Sequence, residues 1–166
     1  MMGRWLLLLF GVLCCCVSVV FAEEVTSGFD RNQPVEITAQ KLEVSQLERQ
    51  SIFTGDVVAV QGEMTLYADK LIVYLQEAQQ QIDRLEAIGG VKFVQLDRVA
   101  TADRAVFQQV EEVLILTGNA VVIQGGNSVS GDEVTLFIKE DRTVVKGSKT
   151  NRVKAIIIPE KKKEKQ

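Results

Sequence analysis

Apolar and polar residues alternate along most of the chain, and the alternation belongs to a unit that occurs three times. Each copy has a Gly, an apolar run, a Gln, a short turn, an Asp and a second apolar run. A period of two is typical of strands with one buried face, and repetition at this spacing indicates stacked supersecondary units. The pattern predicts an all-β protein built as a ladder of hairpins. The copies are FTGDVVAVQGEMTLYADKLIVYL (53–75), IGGVKFVQLDRVATADRAVF (88–107) and LTGNAVVIQGGNSVSGDEVTLFI (116–138).

The strands that follow each Asp, here called the outgoing strands, share one phase. The residues two and four positions after the Asp are apolar in every copy, whereas the residue one position after it is charged. One face of these strands is therefore predicted to be buried. Its members are Leu71, Val73, Ala105, Phe107, Val134 and Leu136.

The strands that follow each Gly, here called the incoming strands, are harder to phase. The middle copy has two consecutive Gly. An anchor on Gly90 places the polar Gln95 on the apolar face, and an anchor on Gly89 places Lys92 there. The sequence leaves this choice open. Counting three residues from the Gly, with Gly90 as the middle anchor, predicts three inward residues: Val58, Phe93 and Val121.

Half units at both ends of the repeat predict strand edges without a partner. ITAQKLEV (37–44) matches an outgoing strand, and TVVKGS (143–148) with VKAIII (153–158) matches an incoming one. Such edges are pairing surfaces. Between the copies, LQEAQQQIDRL (75–85) has helix-like composition, but its place in the repeat favours two strands joined by a polar turn. The predicted assembly edges are Val35, Ile37, Val153, Ala155 and Ile157.

Residues 1–22 have the pattern of a cleaved secretory signal, with the lone cation Arg4, an apolar run from Leu6 to Phe21, and an Ala before two Glu. The run is shorter than the roughly 20 residues of a membrane span, and an uncleaved anchor is the alternative. All three Cys lie in this run, and Leu13 before the first of them argues against lipid attachment. The rest of the chain has no Cys, so burial and backbone pairing must stabilise it.

Four segments follow from these boundaries. They are a signal peptide (1–22), a flexible leader (23–34), a β-domain (35–159) and the charged tail EKKKEKQ (160–166). Pro34 and Pro159 bracket the β-domain, since no residue between them prevents a ladder hydrogen bond. A composition of 46% hydrophobic and 25% charged residues suits one globular domain.

The composition also removes the usual groups of catalytic and metal sites. The sequence has no His, and its Cys are confined to residues 14–16, so transition-metal binding and Ser-His or Cys-His catalysis lack their usual residues. A net charge of −3 gives no basic bias towards nucleic acid. We predict no cofactor and no enzymatic activity.

The recurrent Asp69, Asp103 and Asp132 are the remaining candidates for chemistry. Each follows a small residue at the entry to a strand, where an Asp side chain caps backbone donors. Stacked copies would not form the facing pair of carboxylates that a glycosidase requires. A structural role is favoured for these Asp, and also for the recurrent Gly, which lack a phosphate-loop pattern.

These repeats, with QPVEITAQKLEV and RVKAIIIPE near the ends, resemble the LptA (OstA-like) family of lipopolysaccharide transport proteins. The combination of TGD or TGN, a strand, a Gln and an ADK or GDE entry is specific when repeated, and the resemblance covers nearly all of the chain after residue 22. It implies a periplasmic, antiparallel, V-shaped β-jelly roll that is open at both ends. It also implies that the acyl chains of lipid A bind in an apolar groove. Head-to-tail stacking would join LptC at the inner membrane to LptD at the outer membrane.

The resemblance implies groove positions at Val35, Ile37, Phe93 and Phe107. The middle copy departs from the family pattern because it lacks the polar Gly turn. Three other hypotheses remain: an LptC-like protein held at the inner membrane by an uncleaved segment, a β-repeat scaffold whose apolar face is only core, and an acidic hydrolase that uses Asp103. Combined with the phased positions, the predicted lipid-binding set is Val35, Ile37, Val58, Val73, Phe93, Phe107, Val121 and Leu136.

Overall fold

The computed structural model describes residues 33–77 and 81–159, and the regular structure in these ranges is β-strand. The predicted signal peptide, most of the predicted leader and the predicted charged tail lie outside the described residues. Within these ranges, no helix has the length and apolarity to cross a membrane. The strands are β1 (Glu36–Thr38), β2 (Lys41–Ser45), β3 (Gln50–Gln61), β4 (Met64–Leu75), β5 (Ile82–Gln95), β6 (Arg98–Gln108), β7 (Val113–Gln124), β8 (Asn127–Phe137), β9 (Arg142–Lys146) and β10 (Lys154–Ile156).

The strands form one antiparallel sheet in which the long strands β3 to β8 pair in sequence order. Short strands complete the two ends. β1 and β2 pair with opposite ends of β3, and β10 and β9 pair with opposite ends of β8. The long strands β3 to β8 can be divided across their length into two halves. The upper half is the one in which β1 and β10 are the outer strands, and the lower half is the one in which β2 and β9 are the outer strands.

A bulge separates the two halves in each incoming strand. At positions 54–57 of β3, three steps along the strand oppose two steps on β4, and the same shift occurs at 88–91 in β5 and 117–120 in β7. Such a bulge bends its strand, and the left-handed backbone of these bulge residues favours Gly, Asn and Asp. The bulge residues, all with positive φ, are Gly55 (86°), Asp56 (45°), Gly89 (79°), Gly90 (53°), Gly118 (77°) and Asn119 (50°).

The sheet folds at the level of these bulges into a V with its apolar faces inside. The residues that follow the bulges are almost fully buried, with exposures of 1% for Val57, 1% for Val91 and 0% for Ala120. Leu66 of the upper half and Leu114 of the lower half line the same cavity, which requires that the halves face each other. The prediction of an all-β antiparallel jelly roll built from hairpins is confirmed.

Small side chains fill the inside of the V near its apex. Ala is the commonest residue in the buried cluster, because the two halves converge there and leave little space. Larger apolar residues pack around this cluster further from the apex. The buried Ala residues are Ala59, Ala68, Ala87, Ala100, Ala102, Ala105 and Ala120.

The predicted phase of the outgoing strands is confirmed. Leu71, Ala105 and Val134 are buried in the core, and Phe107 and Leu136 share their inward face. In the segment 75–85, Leu75 ends β4 and residues 82–85 begin β5, so these parts belong to two strands as predicted. Residues 78–80, within the predicted polar turn, lie outside the described residues.

The predicted inward direction of Val58 and Val121 is wrong. In β3 the buried residues are Val57 and Ala59, and Val58 between them lies on the outward face. In β7 the buried residue is Ala120, and its neighbour Val121 likewise lies outward. The bulge explains the error, because its extra residue shifts the alternation by one position.

In the middle copy Gly89 is the equivalent of Gly55 and Gly118. The inward direction of Lys92 that followed from the Gly89 anchor is nevertheless wrong, and the Gly90 anchor gave the correct inward residues, Phe93 and Gln95. Gly89 and Gly90 occupy the same bulge positions as Gly55 and Asp56. Phe93 then shares the inward face with Ala100, while Lys92 pairs with Thr101 on the outward face. Neither Lys92 nor Gln95 interrupts the apolar core, because Lys92 faces outward and Gln95, although it faces inward, is at the end of its strand.

Candidate functional site

An apolar cavity of about 240 Å³ lies between the two halves of the V. Most of its lining residues come from β4 to β7, and the others come from the chain before β1, the end of β3, and the residues that follow β6 and β8. Charged side chains are absent from this lining. Its apolar members are Val35, Met64, Leu66, Leu71, Ile82, Leu85, Ala87, Val91, Phe93, Ala105, Phe107, Leu114, Leu116 and Ile138, and its polar members are Gln33, Gln61 and Gln109.

The predicted lipid-binding residues fall into three groups. Val35, Phe93 and Phe107 line the cavity. Ile37, Val73 and Leu136 lie on the inward face and belong to the core or pack against it, but they do not line this cavity. The third group, Val58 and Val121, lies on the outward face as described above.

Sequence reasoning missed several large residues of the cavity wall. Leu66 and Leu85 come from strands whose alternation was not phased as far as these positions, and Leu114 precedes the third copy of the repeat. All three share the inward face with a predicted residue: Leu66 pairs with Phe93, and Leu85 and Leu114 pair with Phe107. The pairing of consecutive hairpins was the signal that could have placed them.

The upper ends of the long strands carry one row of residues that pair across the sheet, and two of them, Gln61 and Met64, line the cavity. We call this row the mouth row. Most of its members are polar, in contrast to the rows deeper in the V. Along the sheet the mouth row is Gln61, Met64, Gln95, Arg98, Gln124 and Asn127.

Hydrogen bonds order several side chains of the mouth row. Gln61 Nε2 donates to the carbonyl oxygen of Gln33 at 2.8 Å. Arg98 Nη2 donates to Gln124 Oε1 at 3.2 Å, and Asn127 Oδ1 accepts a bond from the Ile158 backbone N–H at 2.8 Å. The mouth is therefore a polar border above an apolar interior.

The recurrent Asp residues lie at the bulges and outside the cavity lining. Asn119 Nδ2 donates to Asp103 Oδ2 at 3.0 Å, and Asn151 Nδ2 donates to Asp132 Oδ1 at 2.5 Å. Hydrogen bonds from the Ser148 side chain and then from Asn151 hold the pKa of the Asp132 carboxyl below its usual value. In the two described ranges, no group of three or more His, Cys, Asp or Glu is placed to hold a metal ion. This arrangement supports the structural role expected for these Asp.

The ends of the sheet carry strands with one paired side. In the described part of the chain, β1 pairs with β3 alone and β10 with β8 alone. Ile37 lies in β1 and Ala155 in β10, and Val35, Val153 and Ile157 flank these strands. The lower half has the same property, because β2 and β9 each have one partner.

Comparisons with known proteins agree on one family. The sequence profile described as "LptA/(LptD N-terminal domain) LPS transport protein" matches residues 36–142. A relative named lipopolysaccharide export system protein LptA, from Escherichia coli (strain K12), is 25% identical over 78% of this chain and 74% of the relative. A protein of the same name from Haemophilus influenzae is 28% identical over 78% of this chain and 80% of that protein.

A solved structure has the same fold. It is LptH from Pseudomonas aeruginosa, described as the LptA-homologous periplasmic component of the lipopolysaccharide transport device. The TM-score is 0.71 and the sequence identity is 18%, over 80% of this chain and 100% of that one. At this identity the likeness concerns the fold alone.

Proposed function

The chain belongs to the LptA/LptD N-terminal-domain family, and we propose that it is a periplasmic carrier that binds lipopolysaccharide and passes it from the inner towards the outer membrane. It acts by binding, without chemistry on the lipid. The acyl chains of lipid A lie between the two halves of the V, and the sugars and phosphates remain outside the apolar interior.

One observation carries this proposal: the inside of the V is an accessible apolar surface with a polar border. Phe93 and Phe107 contribute aromatic faces from opposite halves, and burial of apolar surface is worth about 25 cal/mol per Å². A purely structural core would be filled by its own side chains to the density of a crystal. The remaining space supports a ligand with flexible apolar chains.

The dimensions of the groove support a long ligand that extends beyond one cavity. The volume of about 240 Å³ lies below the roughly 300–1,000 Å³ of sites that enclose a small molecule. Towards the β2 end of the sheet, Leu42 and Val44 pair with inward-facing residues and are 53% and 65% exposed. Acyl chains can therefore lie along the groove towards its open end.

Head-to-tail assembly would make this groove continuous between copies. β1 of one molecule and β10 of the next would pair by β-augmentation, in which main-chain hydrogen bonds supply the affinity. The same edges would join LptC at the inner membrane and LptD at the outer membrane. The apolar side chains of Val35, Val153 and Ile157 are exposed next to these edges.

Lipid binding is tested by substitutions on opposite faces of one strand. Phe93→Glu places a charge inside the groove and should lower the affinity for lipopolysaccharide at least about tenfold, because an unpaired charge is costly in an apolar site. Phe107→Glu should act in the same way. Val94→Glu is the matched control, because Val94 lies on the outward face. Binding can be measured by displacement of a fluorescent lipopolysaccharide, with circular dichroism as the check of folding.

Two results would count against the carrier. Unchanged affinity in Phe93→Glu and Phe107→Glu would remove the groove as the lipid site. Failure of the unmodified protein to bind lipopolysaccharide would favour the scaffold hypothesis. N-terminal sequencing of the exported protein tests the LptC-like alternative, since a start at Glu23 supports the soluble carrier.

Assembly is tested by a charge at the C-terminal edge. Ile157 is 77% exposed, so Ile157→Lys should leave the monomer folded and weaken self-association about tenfold, since edge lysines oppose strand pairing. Leu47→Lys is the control, because Leu47 is 94% exposed in the β2–β3 turn. Sedimentation over a range of concentrations measures the association. Equal association of both variants and the unmodified protein would contradict the edge model.

A further inference from the structure

The Gln that recurs in the three copies of the repeat lies at one level of the groove. Gln61, Gln95 and Gln124 are each six residues after the first Gly of the bulge in their strand. Strand pairing brings all three into the mouth row. Packing of the core does not require an amide at this level, because the row is at the end of the strands and beyond the buried cluster.

Arg98 lies in the same row, between Gln95 and Gln124. It shares the inward face with Ala100, two residues further along β6. At the other paired inward positions of the described strands, the side chains are apolar or uncharged. Among the described strands of the upper half, Arg98 is therefore the one charged side chain that the strand register directs to the inside of the V.

The guanidinium of Arg98 is available to an external anion. Its hydrogen bond to Gln124 uses one of five donors, and it forms no salt bridge with a described residue. Its sequence neighbour Asp97 lies in the β5–β6 turn, where its carboxylate faces Gly125. By contrast, the outward-facing Arg104 of the same strand is paired with Glu86 at 2.9 Å.

The position of Arg98 relates it to the apolar interior. Its neighbour on the inward face, Ala100, pairs with Phe93, which lines the cavity. Two residues along a strand span about 7 Å. A molecule whose apolar chains contact Phe93 would therefore have its polar end at the level of Arg98.

We propose that the mouth row is a head-group site in which Arg98 binds a phosphate on the sugar of the bound lipid and the recurrent Gln bind its hydroxyl and carbonyl groups. The inference rests on the proposed lipid-carrier function. A planar guanidinium can bind a phosphate through two parallel hydrogen bonds, and amides can both donate to and accept from a sugar or an acyl linkage. The row would thus select lipids that carry a phosphorylated sugar from lipids with acyl chains alone.

The test compares Arg98→Gln with Arg98→Lys and with Lys92→Gln. Lys92→Gln removes one positive charge from the outward face of the neighbouring strand and is the matched control for net charge. The probes are bisphosphorylated lipid A, lipid A from which the phosphates have been removed, and an uncharged fluorescent alkyl chain. Thermal unfolding establishes that each variant is folded.

Arg98→Gln should weaken binding of bisphosphorylated lipid A about five- to tenfold, as expected for one partly exposed charge-assisted contact. Its affinity for dephosphorylated lipid A and for the alkyl probe should remain that of the unmodified protein. Arg98→Lys should retain most of the affinity, and Lys92→Gln should retain all of it. Inorganic phosphate without lipid should give no binding that depends on Arg98.

Each contrary result has a distinct meaning. An equal loss for all three lipid probes would show that Arg98 supports the groove structurally, and an unchanged affinity for bisphosphorylated lipid A would remove it from the site. Either result overturns the head-group site and leaves the lipid carrier intact. Binding of inorganic phosphate that depends on Arg98 would make the row a site for free anions. Absence of binding of every lipid probe by the unmodified protein would overturn the carrier itself.

Discussion

The carboxylate of Asp103 on β6 accepts a hydrogen bond from the side chain of Asn119 in the bulge of β7, with 3.0 Å between Oδ2 and Nδ2. The preceding Gly118 lies so close to β6 that an added Cβ would be 2.8 Å from the Cβ of Asp103. Asp69 lies in the same way against Gly89, and Gln40 against Gly55. Asp69 and Asp103 therefore each lie against the bulge of the next incoming strand, and Asp103 is hydrogen-bonded to it.

Gly118→Ala should lower the free energy of unfolding by about 1–3 kcal/mol. The cost comes from a side chain at φ +77° and from its contact with Asp103. Chemical denaturation of the purified protein measures it. The double variant Gly118→Ala/Asp103→Gly removes the contact, including the Cβ of residue 103, but keeps the strained dihedral, so it should be less destabilised than the sum of the single variants. Simple additivity of the two effects would contradict the contact.

Neighbouring residues of β3 should respond differently to the same truncation. Val57 is 1% exposed in the core, and Val57→Ala should cost about 1.5–3 kcal/mol because it removes buried carbon and leaves a cavity. Val58→Ala should cost less than about 1 kcal/mol, because Val58 is partly exposed on the outward face. Denaturant titration of both variants compares the two. A larger cost at Val58 would mean that the bulge at 55–56 is misplaced.

Acid should destabilise the attachment of the β9–β10 segment to β8, because Asp132 of β8 accepts hydrogen bonds from that segment. Hydrogen bonds from Ser148 and Asn151 lower the pKa of its carboxyl in the folded protein. Their stabilisation is therefore complete above the usual aspartate pKa, near 3.9, and is lost as the pH falls through the lowered folded value. Melting curves from neutral to acid pH should show this loss.

Two Asp→Asn variants test whether Asp132 causes this loss of stability in acid. Asp132→Asn should reduce stability at neutral pH and flatten the acid end of the curve. Asp97→Asn, in a turn far along the chain, is the control and should keep the shape of the unmodified curve. The same acid dependence in Asp132→Asn and the unmodified protein would exclude Asp132 as its source.

The outgoing strands could be predicted from the sequence because no bulge lies between the Asp and the apolar residues that follow it. Counting by two from Asp69 reaches Leu71 and Val73, and both are buried. The incoming strands could not be predicted in this way, because counting from Gly55 crosses an extra residue. The Gly-Asp, Gly-Gly and Gly-Asn pairs were the available signal, since all of these residues tolerate a left-handed backbone.

The groove itself was only partly accessible from the sequence. Phe93 and Phe107 were predicted as inward residues and do line the cavity. Which rows meet across the V depends on where the sheet bends, and this is a property of the bulges acting together. For the same reason the sequence did not reveal that the recurrent Gln and Arg98 share one border of the groove.

The alignment of the bulges has a mechanical consequence. Bends at positions 55–56, 89–90 and 118–119 lie at one level of the sheet. They therefore form a single crease, which is one line across the strands along which the sheet bends. The outgoing strands β4 and β6 cross this crease while paired on both sides. One strand cannot unbend without breaking hydrogen bonds to its neighbours. The width of the groove is therefore set for the whole molecule at once, and a ligand that spreads the V at one point must spread it along its full length.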